Sequence, residues 1–217
     1  MQTEDENKIR EIVWDLIIER VLTIGDYHND SWPWLSLTEY GKKYIGSEYP
    51  LPNDITGYFT RLTNEIPQID LVIKTYLEES IRTYNINQLM SSTITLGCAS
   101  EKALLLLIES YQTSFTDEAK KASFLKKIEN KSIKVKFDEF DKSINQILAS
   151  LPYGLREYYS RNLGGIFEMI RNNRNDAGHP TGKSIDKDTL FVSLQLFIPN
   201  CKYVYTLITH FNQNNHN

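Results

Sequence analysis

The residues best suited to chemistry in this chain are Arg174 and His179, which lie near its C-terminal end with four residues between them. Arginine is a permanent cation whose planar fork of N–H donors fits a phosphate bidentately. Histidine is the side chain best suited to transferring a proton near neutral pH. Together they are a minimal set of groups for cleaving an RNA phosphodiester bond.

The surrounding residues predict a helix that ends beside this pair. Gly178 and Pro180 bracket His179 as helix-end signals, and apolar residues recur at helical spacing before the pair, at Ile166, Phe167, Met169 and Ile170. An arginine in the last turn and a histidine just past it can point into one cleft. A purely structural role is the alternative, because Arg and Asn near a helix C-terminus often only bond the last carbonyls and complement the helix dipole.

The string Arg-Asn-Asp-Ala-Gly-His over 174–179 resembles the signature of the HEPN superfamily (higher eukaryotes and prokaryotes nucleotide-binding). In that signature an arginine, usually followed by a polar residue, precedes a histidine by four to six residues, and Arg174, Asn175 and His179 match it. The resemblance covers residues from about 65 to 211 and implies an all-helical bundle that dimerises. Many members are metal-independent ribonucleases of toxin–antitoxin, abortive-infection and other defence systems, whereas others bind nucleotides or partners without catalysis.

The expected fold is all-α, a HEPN-like helical bundle with a small N-terminal helix and β-hairpin appendage. Residues 1–57 are the expected appendage and linker, 58–211 the helical domain and 212–217 a disordered, Asn-rich tail. Helices of the domain are expected at about 68–84, 86–112, 117–129, 132–149, 155–176 and 187–211, with a kink at Pro199 in the last.

The N-terminal segment predicts a small mixed unit. Apolar spacing predicts a helix over 7–22, residues 32–37 read as an extended segment, and Thr38 is the expected N-cap of a short helix that stops at Gly46. This order resembles the second half of a winged-helix domain, but the helices that would complete a DNA-binding unit are missing. We therefore expect this segment to dock a partner or dimerise rather than to read DNA.

Charge and cysteine content narrow the class of protein. The chain has 28 acidic and 24 basic residues, and its formal net charge of −4 argues against holding long nucleic acids by charge alone. Cys98 and Cys201 each lie in an apolar helical pattern, which predicts small buried thiols in a reducing compartment. The acidic N-terminus, and an apolar stretch over 94–108 too short to span a bilayer, predict a cytoplasmic protein without membrane association.

Glu101 is the first supporting residue, because it projects from the most apolar helix into small and aliphatic neighbours. A lone buried carboxylate is costly, so we expect it to pair with the guanidinium of Arg171 or Arg174 and to orient the catalytic arginine. The alternative is that Glu101 lies at the rim, with no partner or with a surface lysine.

Lysines are the second supporting feature, with seven of them between Lys120 and Lys136. Such a run is usually the solvated face of amphipathic helices, and its alternative is an electropositive patch that guides RNA to the cleft. Lys183, just after the motif, is a candidate RNA phosphate contact. No cluster of metal-ligand spacing is visible and no cofactor is expected.

The mechanism is predicted by counting functional groups. Cleavage of RNA through its own 2′-hydroxyl needs a base, an acid and cations for the phosphorane, and one chain supplies one histidine and one arginine. A twofold homodimer would supply two of each. His179 is then the general base or acid, Arg174 stabilises the phosphorane, Asn175 positions the phosphate or the imidazole, and Asp176 orients its neighbours.

The expected function is therefore a metal-independent endoribonuclease that acts on single-stranded RNA. The resemblance places it in a toxin–antitoxin or antiphage defence context, where an antitoxin or partner enzyme restrains it. The alternative is a non-catalytic HEPN-like module that binds a nucleotide or a partner protein with the same arginine and histidine.

Overall fold

Helices make up most of the chain, as its apolar spacing predicts. A computed structural model describes residues 4–46, 51–159, 163–180 and 184–216. The chain divides into two compact units, residues 1–61 and residues 62–217. The sheet of the described residues is a two-stranded hairpin in the first unit, so the all-α class with a small N-terminal hairpin is confirmed.

The first unit contains a helix, the hairpin and a second helix. Thr38 caps that second helix as expected, because its side chain accepts a hydrogen bond from the Gly41 N–H. The two strands are antiparallel, with Leu22 opposite Leu37. The elements are α1 (Glu4–Ile18), β1 (Leu22–Ile24), β2 (Leu35–Leu37) and α2 (Glu39–Ile45).

The predicted first helix, 7–22, was wrong at its C-terminal end. Arg20 adopts a left-handed φ of 66°, the Arg20 N–H donates to the Ile17 carbonyl and the Val21 N–H donates to the Leu16 carbonyl. This pair of bonds is a Schellman motif, which ends a helix and redirects the chain. The motif has arginine where glycine is usual, so composition offered no stop signal.

The segment expected to be a linker contains the start of another helix, α3 (Ile55–Glu65). The Asp54 carboxylate accepts a hydrogen bond of 2.7 Å from the Gly57 N–H, which satisfies one of the free donors at the helix start. The division between the two units, after Arg61, falls within this helix.

The second unit is a helical bundle around one long central helix. The central helix, α5, packs against α4, α9 and α10. The unit consists of α4 (Leu71–Asn85), α5 (Leu89–Thr113), α6 (Glu118–Ile128), α7 (Ile133–Ile147), a 3-10 turn (Leu148–Ser150), α8 (Tyr153–Tyr158), α9 (Gly164–Gly178) and α10 (Lys187–Gln213). Apolar residues that recur at three- and four-residue spacing form its core, and the following are buried: Leu104, Leu107, Ile108, Phe167, Ile170, Leu194 and Val204.

The helix expected over 86–112 corresponds to α5, and the segment expected to be helical over 155–176 is helical on both sides of residues 160–162, which lie outside the described part of the chain. The helix α5 is longer than the apolar stretch over 94–108 and meets the length and composition of a membrane span, but more than half of its most apolar window is buried in the bundle. That burial is typical of the core helix of a soluble protein.

The tail expected to be disordered is instead held against the bundle as far as His216. The His216 ring stacks on Tyr111 with centroids 4.5 Å apart, and its Nδ1 lies 2.7 Å from the Ser114 hydroxyl. Its backbone N–H and carbonyl bond Ser114 and Thr116, at 2.8 and 2.9 Å. One aromatic residue among the asparagines therefore anchors this segment.

Candidate functional site

The candidate site begins with Arg174, whose aliphatic stem lies against Gly97 where α9 crosses α5. A Cβ atom at residue 97 would lie 2.6 Å from the Arg174 Cβ and closer still to its Cγ. Only a glycine at this position leaves room for the stem, so the direction of the arginine is set by the packing of two helices.

The guanidinium of Arg174 faces Glu101, one turn further along α5. The Arg174 Nη1 lies 3.7 Å from the Glu101 Oε1, and the Glu101 side chain is 19% exposed compared with 36% for the arginine. That carboxylate oxygen is buried and makes no hydrogen bond to the described residues. The pair is thus an electrostatic contact without a hydrogen bond, and Glu101 lies beside Arg174 rather than Arg171.

Arg171 has a different set of partners. Its Nη2 lies 2.6 Å from the Glu168 Oε2 and donates a bond of 3.1 Å to the Asn172 side-chain oxygen. Glu168 is also 3.9 Å from the Lys134 ammonium on α7. Arg171 therefore belongs to a chain of charges between α9 and α7.

His179 is the residue at which α9 ends. It has extended backbone angles, φ −106° and ψ 142°, and its N–H donates to the Asn175 carbonyl at 3.1 Å. Its side chain is exposed, and its imidazole makes no hydrogen bond or ion pair with the described residues. The ring is thus accessible for proton transfer with a bound molecule.

Asn175 connects the two motif residues. Its backbone carbonyl accepts the His179 N–H, and its side-chain oxygen lies 3.5 Å from the Arg174 Nη1. The structure therefore places Arg174 beside Glu101 and Asn175, His179 follows at the end of α9, and Arg171 pairs with Glu168.

Asp176 lies on another face of α9, with Asn173, where both line a cavity of about 180 Å³ between α5, α9 and α10. The apolar part of its wall is formed by Leu96, Ile170 and Leu190. Sequence reasoning missed this cavity. The available signal was the pair of polar residues at i and i+3 on an otherwise apolar face of α9, since such residues line buried space only if the neighbouring helices leave a gap.

Many of the lysines of the run are ion-paired. Lys121 lies 3.4 Å from Glu118, and Lys134 lies 3.4 Å from Asp138. These contacts are typical of a solvated face, where each pair contributes little to stability. Lys183, the candidate phosphate contact, lies outside the described residues.

A second cavity, of about 350 Å³, lies between α6 and α7 and has three lysines in its wall, Lys120, Lys127 and Lys142. Glu139 is the carboxylate among the described residues that line it, 2.7 Å from Lys142 and 3.9 Å from Lys127. One carboxylate does not neutralise three ammonium groups, so the cavity has a net positive charge.

Within the described ranges of the chain, no three His, Cys, Asp or Glu side chains are grouped so that they could hold a metal ion. The candidate site offers an imidazole, a guanidinium and amides to a substrate. Comparisons of the chain with family models, with curated proteins and with solved structures found no match.

Proposed function

We propose that the protein is a metal-independent endoribonuclease that cleaves single-stranded RNA through its 2′-hydroxyl. The observation that carries the proposal is the arrangement at the end of α9. There a half-exposed guanidinium is held by Gly97 and Glu101, and an exposed imidazole follows one turn later. A phosphate that binds Arg174 bidentately would lie within reach of a general acid or base.

Each group has a defined task in this reaction. One histidine takes the proton of the 2′-hydroxyl, and that oxygen attacks phosphorus. The 5′-oxygen then leaves with a proton from a second histidine, and the products are a 2′,3′-cyclic phosphate and a free 5′-hydroxyl. Arg174 stabilises the charge on the phosphorane. Asn175 keeps the arginine and the histidine in their positions relative to each other.

Two histidines require two chains, so we propose a twofold homodimer that apposes the ends of two α9 helices. Three large apolar side chains at this end of the bundle support the proposal. Ile86, Met90 and Val192 are 69%, 57% and 49% exposed. Val192 precedes Ser193, and Met90 lies one turn before Thr93, both of which line the cavity beside Asp176.

A restraining partner is the second part of the proposal. The helix α1 has no buried residues, and it exposes Ile9, Ile12 and Ile18. An apolar face of this kind suits an antitoxin or partner enzyme, in line with the defence context that the HEPN resemblance implies in the cytoplasm.

Size-exclusion chromatography with light scattering tests the proposed homodimer, and a monomer at micromolar concentration contradicts it.

The chemical test is RNA cleavage in excess EDTA. The wild-type protein should leave a 2′,3′-cyclic phosphate and should spare an RNA with a 2′-deoxy sugar at the cut position, because the nucleophile is then missing. His179→Ala should lose at least ~10²-fold in rate, the usual size of a general acid–base contribution. Arg174→Ala should fall by ~10²-fold or more, as on removal of an oxyanion donor.

The matched control is His28→Ala, which removes an exposed histidine from the N-terminal unit and should cleave as the wild type does. Equal activity of wild type and His179→Ala would contradict the proposal, because it would indicate a contaminating nuclease. Melting temperatures of all variants, measured in parallel, separate loss of function from loss of fold.

The second candidate function is binding of a nucleotide without turnover, and the lysine-lined cavity between α6 and α7 favours it. Its three ammonium groups suit phosphates, and its aromatic wall includes Tyr111 and Phe124. Lys120→Gln and Lys127→Gln should then weaken nucleotide binding in calorimetry while RNA remains uncut. Unchanged binding in both variants would contradict this alternative.

A further inference from the structure

We propose that the cavity between α5, α9 and α10 binds the nucleobase next to the phosphate that is cut, and that it prefers guanine. The inference rests on the proposed function for the position of the phosphate. The guanine preference itself rests on the shape and the hydrogen-bonding groups of the cavity, which are independent of catalysis.

The size of the cavity suits one base. Its volume is about 180 Å³, below the roughly 300–1,000 Å³ that is usual for pockets that take whole drug-sized ligands. Aliphatic side chains from three helices, Leu96, Ile170 and Leu190, form the apolar wall. A flat heteroaromatic ring packs against such a wall and places its polar edge towards the remaining side chains.

Three of the four hydroxyl groups that line the cavity, those of Thr93, Thr189 and Ser193, present acceptors, because their protons are already used. The Thr93 hydroxyl donates to the Leu89 carbonyl at 2.8 Å, and the Ser193 hydroxyl donates to the Thr189 carbonyl at 2.9 Å. The Thr189 hydroxyl donates to the Asp186 carboxylate at 2.6 Å. A hydroxyl that has donated its single proton retains only lone pairs for a ligand.

The charged groups of the wall are acceptors too. Asp176 and Asp186 contribute carboxylates, Asn173 contributes an amide that can both donate and accept, and the described lining residues include no lysine or arginine. Ionised carboxylates accept hydrogen bonds and repel phosphate. The cavity therefore does not suit the phosphate of a nucleotide, and it does suit an edge that is rich in N–H donors.

Guanine has the base edge with the most donors, since its ring N1–H and its amino group lie side by side. Adenine and cytosine each offer only an amino group, and uracil offers only one ring N–H. A base that leaves buried acceptors unpaired loses affinity through their uncompensated desolvation. The acceptor-rich wall thus ranks guanine first and uracil last.

The cavity adjoins the candidate catalytic groups along both α5 and α9. Leu96 of its wall precedes Gly97, against which the Arg174 stem packs, and Asn173 of its wall precedes Arg174. One nucleotide that binds this part of α9 would place its phosphate at Arg174 and its base in the cavity.

The test uses nucleosides, which lack the phosphate and so do not depend on Arg174 or His179. Guanosine, adenosine, cytidine and uridine are titrated into the full-length protein and followed by NMR chemical shifts. Guanosine should bind saturably and at least ~10-fold more tightly than uridine, the ratio that 1.4 kcal/mol of hydrogen bonding provides. Equal affinities for the four nucleosides, or no binding, would overturn the inference.

Two variants locate the binding. Ser193→Leu fills the cavity, and Thr93→Val removes one acceptor with almost no change in shape. Each should weaken guanosine binding at least ~10-fold, by loss of volume or of a hydrogen bond. Asn172→Ala, on the exposed side of α9, is the matched control and should bind as the wild type does. If Ser193→Leu fails to fold, Thr93→Val alone decides, and unchanged binding in it counts against the pocket.

Mapping of cut sites keeps this inference distinct from the proposed function. Cleavage next to guanine, together with guanosine binding, supports both. Cleavage without base preference and without nucleoside binding overturns the proposed guanine site and leaves the proposed ribonuclease activity standing. Guanosine binding without cleavage in EDTA supports the proposed guanine site and overturns the proposed ribonuclease activity.

Discussion

Gly97 and Arg174 form the contact on which the candidate site depends. The two residues lie on α5 and α9, and the absent side chain of the glycine is the space that the arginine stem occupies, with the position of a residue-97 Cβ only 2.6 Å from the Arg174 Cβ. A core contact between two helices thus sets the direction of a functional cation, so a substitution at Gly97 changes stability and activity together.

We first predict that Gly97→Ala destabilises the protein and slows RNA cleavage. The new methyl group must displace the arginine stem or part the helices, and overpacking of this kind costs about 1–3 kcal/mol. The free energy of unfolding in urea and the cleavage rate are the measurements.

Gly165→Ala is the matched control for Gly97→Ala, on α9 itself. A Cβ there meets nothing within 4 Å, and alanine stabilises a helix interior over glycine by about 0.5–1 kcal/mol. If Gly97→Ala behaved like Gly165→Ala in both measurements, the contact would have no importance for the site.

A second prediction concerns Glu101, which we regard as a positioning residue. Glu101→Gln should lower the cleavage rate, because the guanidinium loses the charge that holds it. It should change stability by less than about 1 kcal/mol, since the pair is partly exposed and lacks a hydrogen bond.

The effects of Glu101→Gln on kcat and on KM should differ. A disoriented arginine mainly lowers kcat, whereas weaker RNA binding raises KM. Glu109→Gln removes an exposed carboxylate from the same helix and should leave both values unchanged. Identical kinetics for the two variants would show that Glu101 does not act on Arg174.

The third prediction distinguishes the two cysteines. Cys201 is 2% exposed, and burial raises the pKa of its thiol to about 12, whereas Cys98 is half-buried. The thiolate is the reactive form, so Cys201 should resist alkylation in the folded protein at pH 8 while Cys98 reacts.

Mass spectrometry after iodoacetamide treatment should therefore show one modified thiol in the native chain and both in the denatured chain. The Cys98→Ser variant should remain unmodified while it is folded. Rapid modification of that variant would mean that Cys201 becomes exposed by local opening.

The fourth prediction concerns pH and the C-terminal segment. Burial lowers the pKa of His216 below its ordinary value, and the charge of Lys120 lowers it further. The unfolded chain, with an ordinary histidine pKa of about 6.5, then takes up the proton before the folded chain does as pH falls. The contribution of His216 to the free energy of unfolding is therefore fully present above the pKa of the unfolded chain, and it decreases as pH falls below that value.

Urea unfolding at about pH 7.5 and about pH 5.5, on either side of the ordinary histidine pKa, measures this decrease. His216→Gln should be less stable at the higher pH, because the stack on Tyr111 is lost, and should lose less stability on acidification than the wild type. His210→Gln leaves that stack in place and should keep the wild-type difference. An equal decrease in His216→Gln would exclude His216 as the source.

Local features of the fold were predictable because they depend on neighbours along the chain. The capping role of Thr38 requires only a side-chain acceptor three residues before the Gly41 N–H. The burial of Leu104, Leu107 and Ile108 follows from their spacing on one helix face. The turn at Arg20 escaped prediction because a residue with a Cβ there carries no sign of a left-handed φ.

The residues of the candidate site could also be predicted from the sequence, since Arg174, Asn175 and His179 lie close together at the end of one helix. Which arginine Glu101 would face could not, because Arg171 and Arg174 were both candidates until the rotation of α9 was known. The anchoring of His216 beside Tyr111 likewise joins residues that are far apart in sequence.

The sequence by itself determined the helical class, most of the core and the chemical identity of the motif, because periodicity, caps and residue types are local properties of the chain. Only the tertiary structure decided that Gly97 receives the stem of Arg174, that Glu101 faces its guanidinium, and that a cavity opens beside Asp176. These relationships depend on how far apart three packed helices lie and how each is rotated. Those quantities come from the sum of many weak contacts and are not encoded in any one segment.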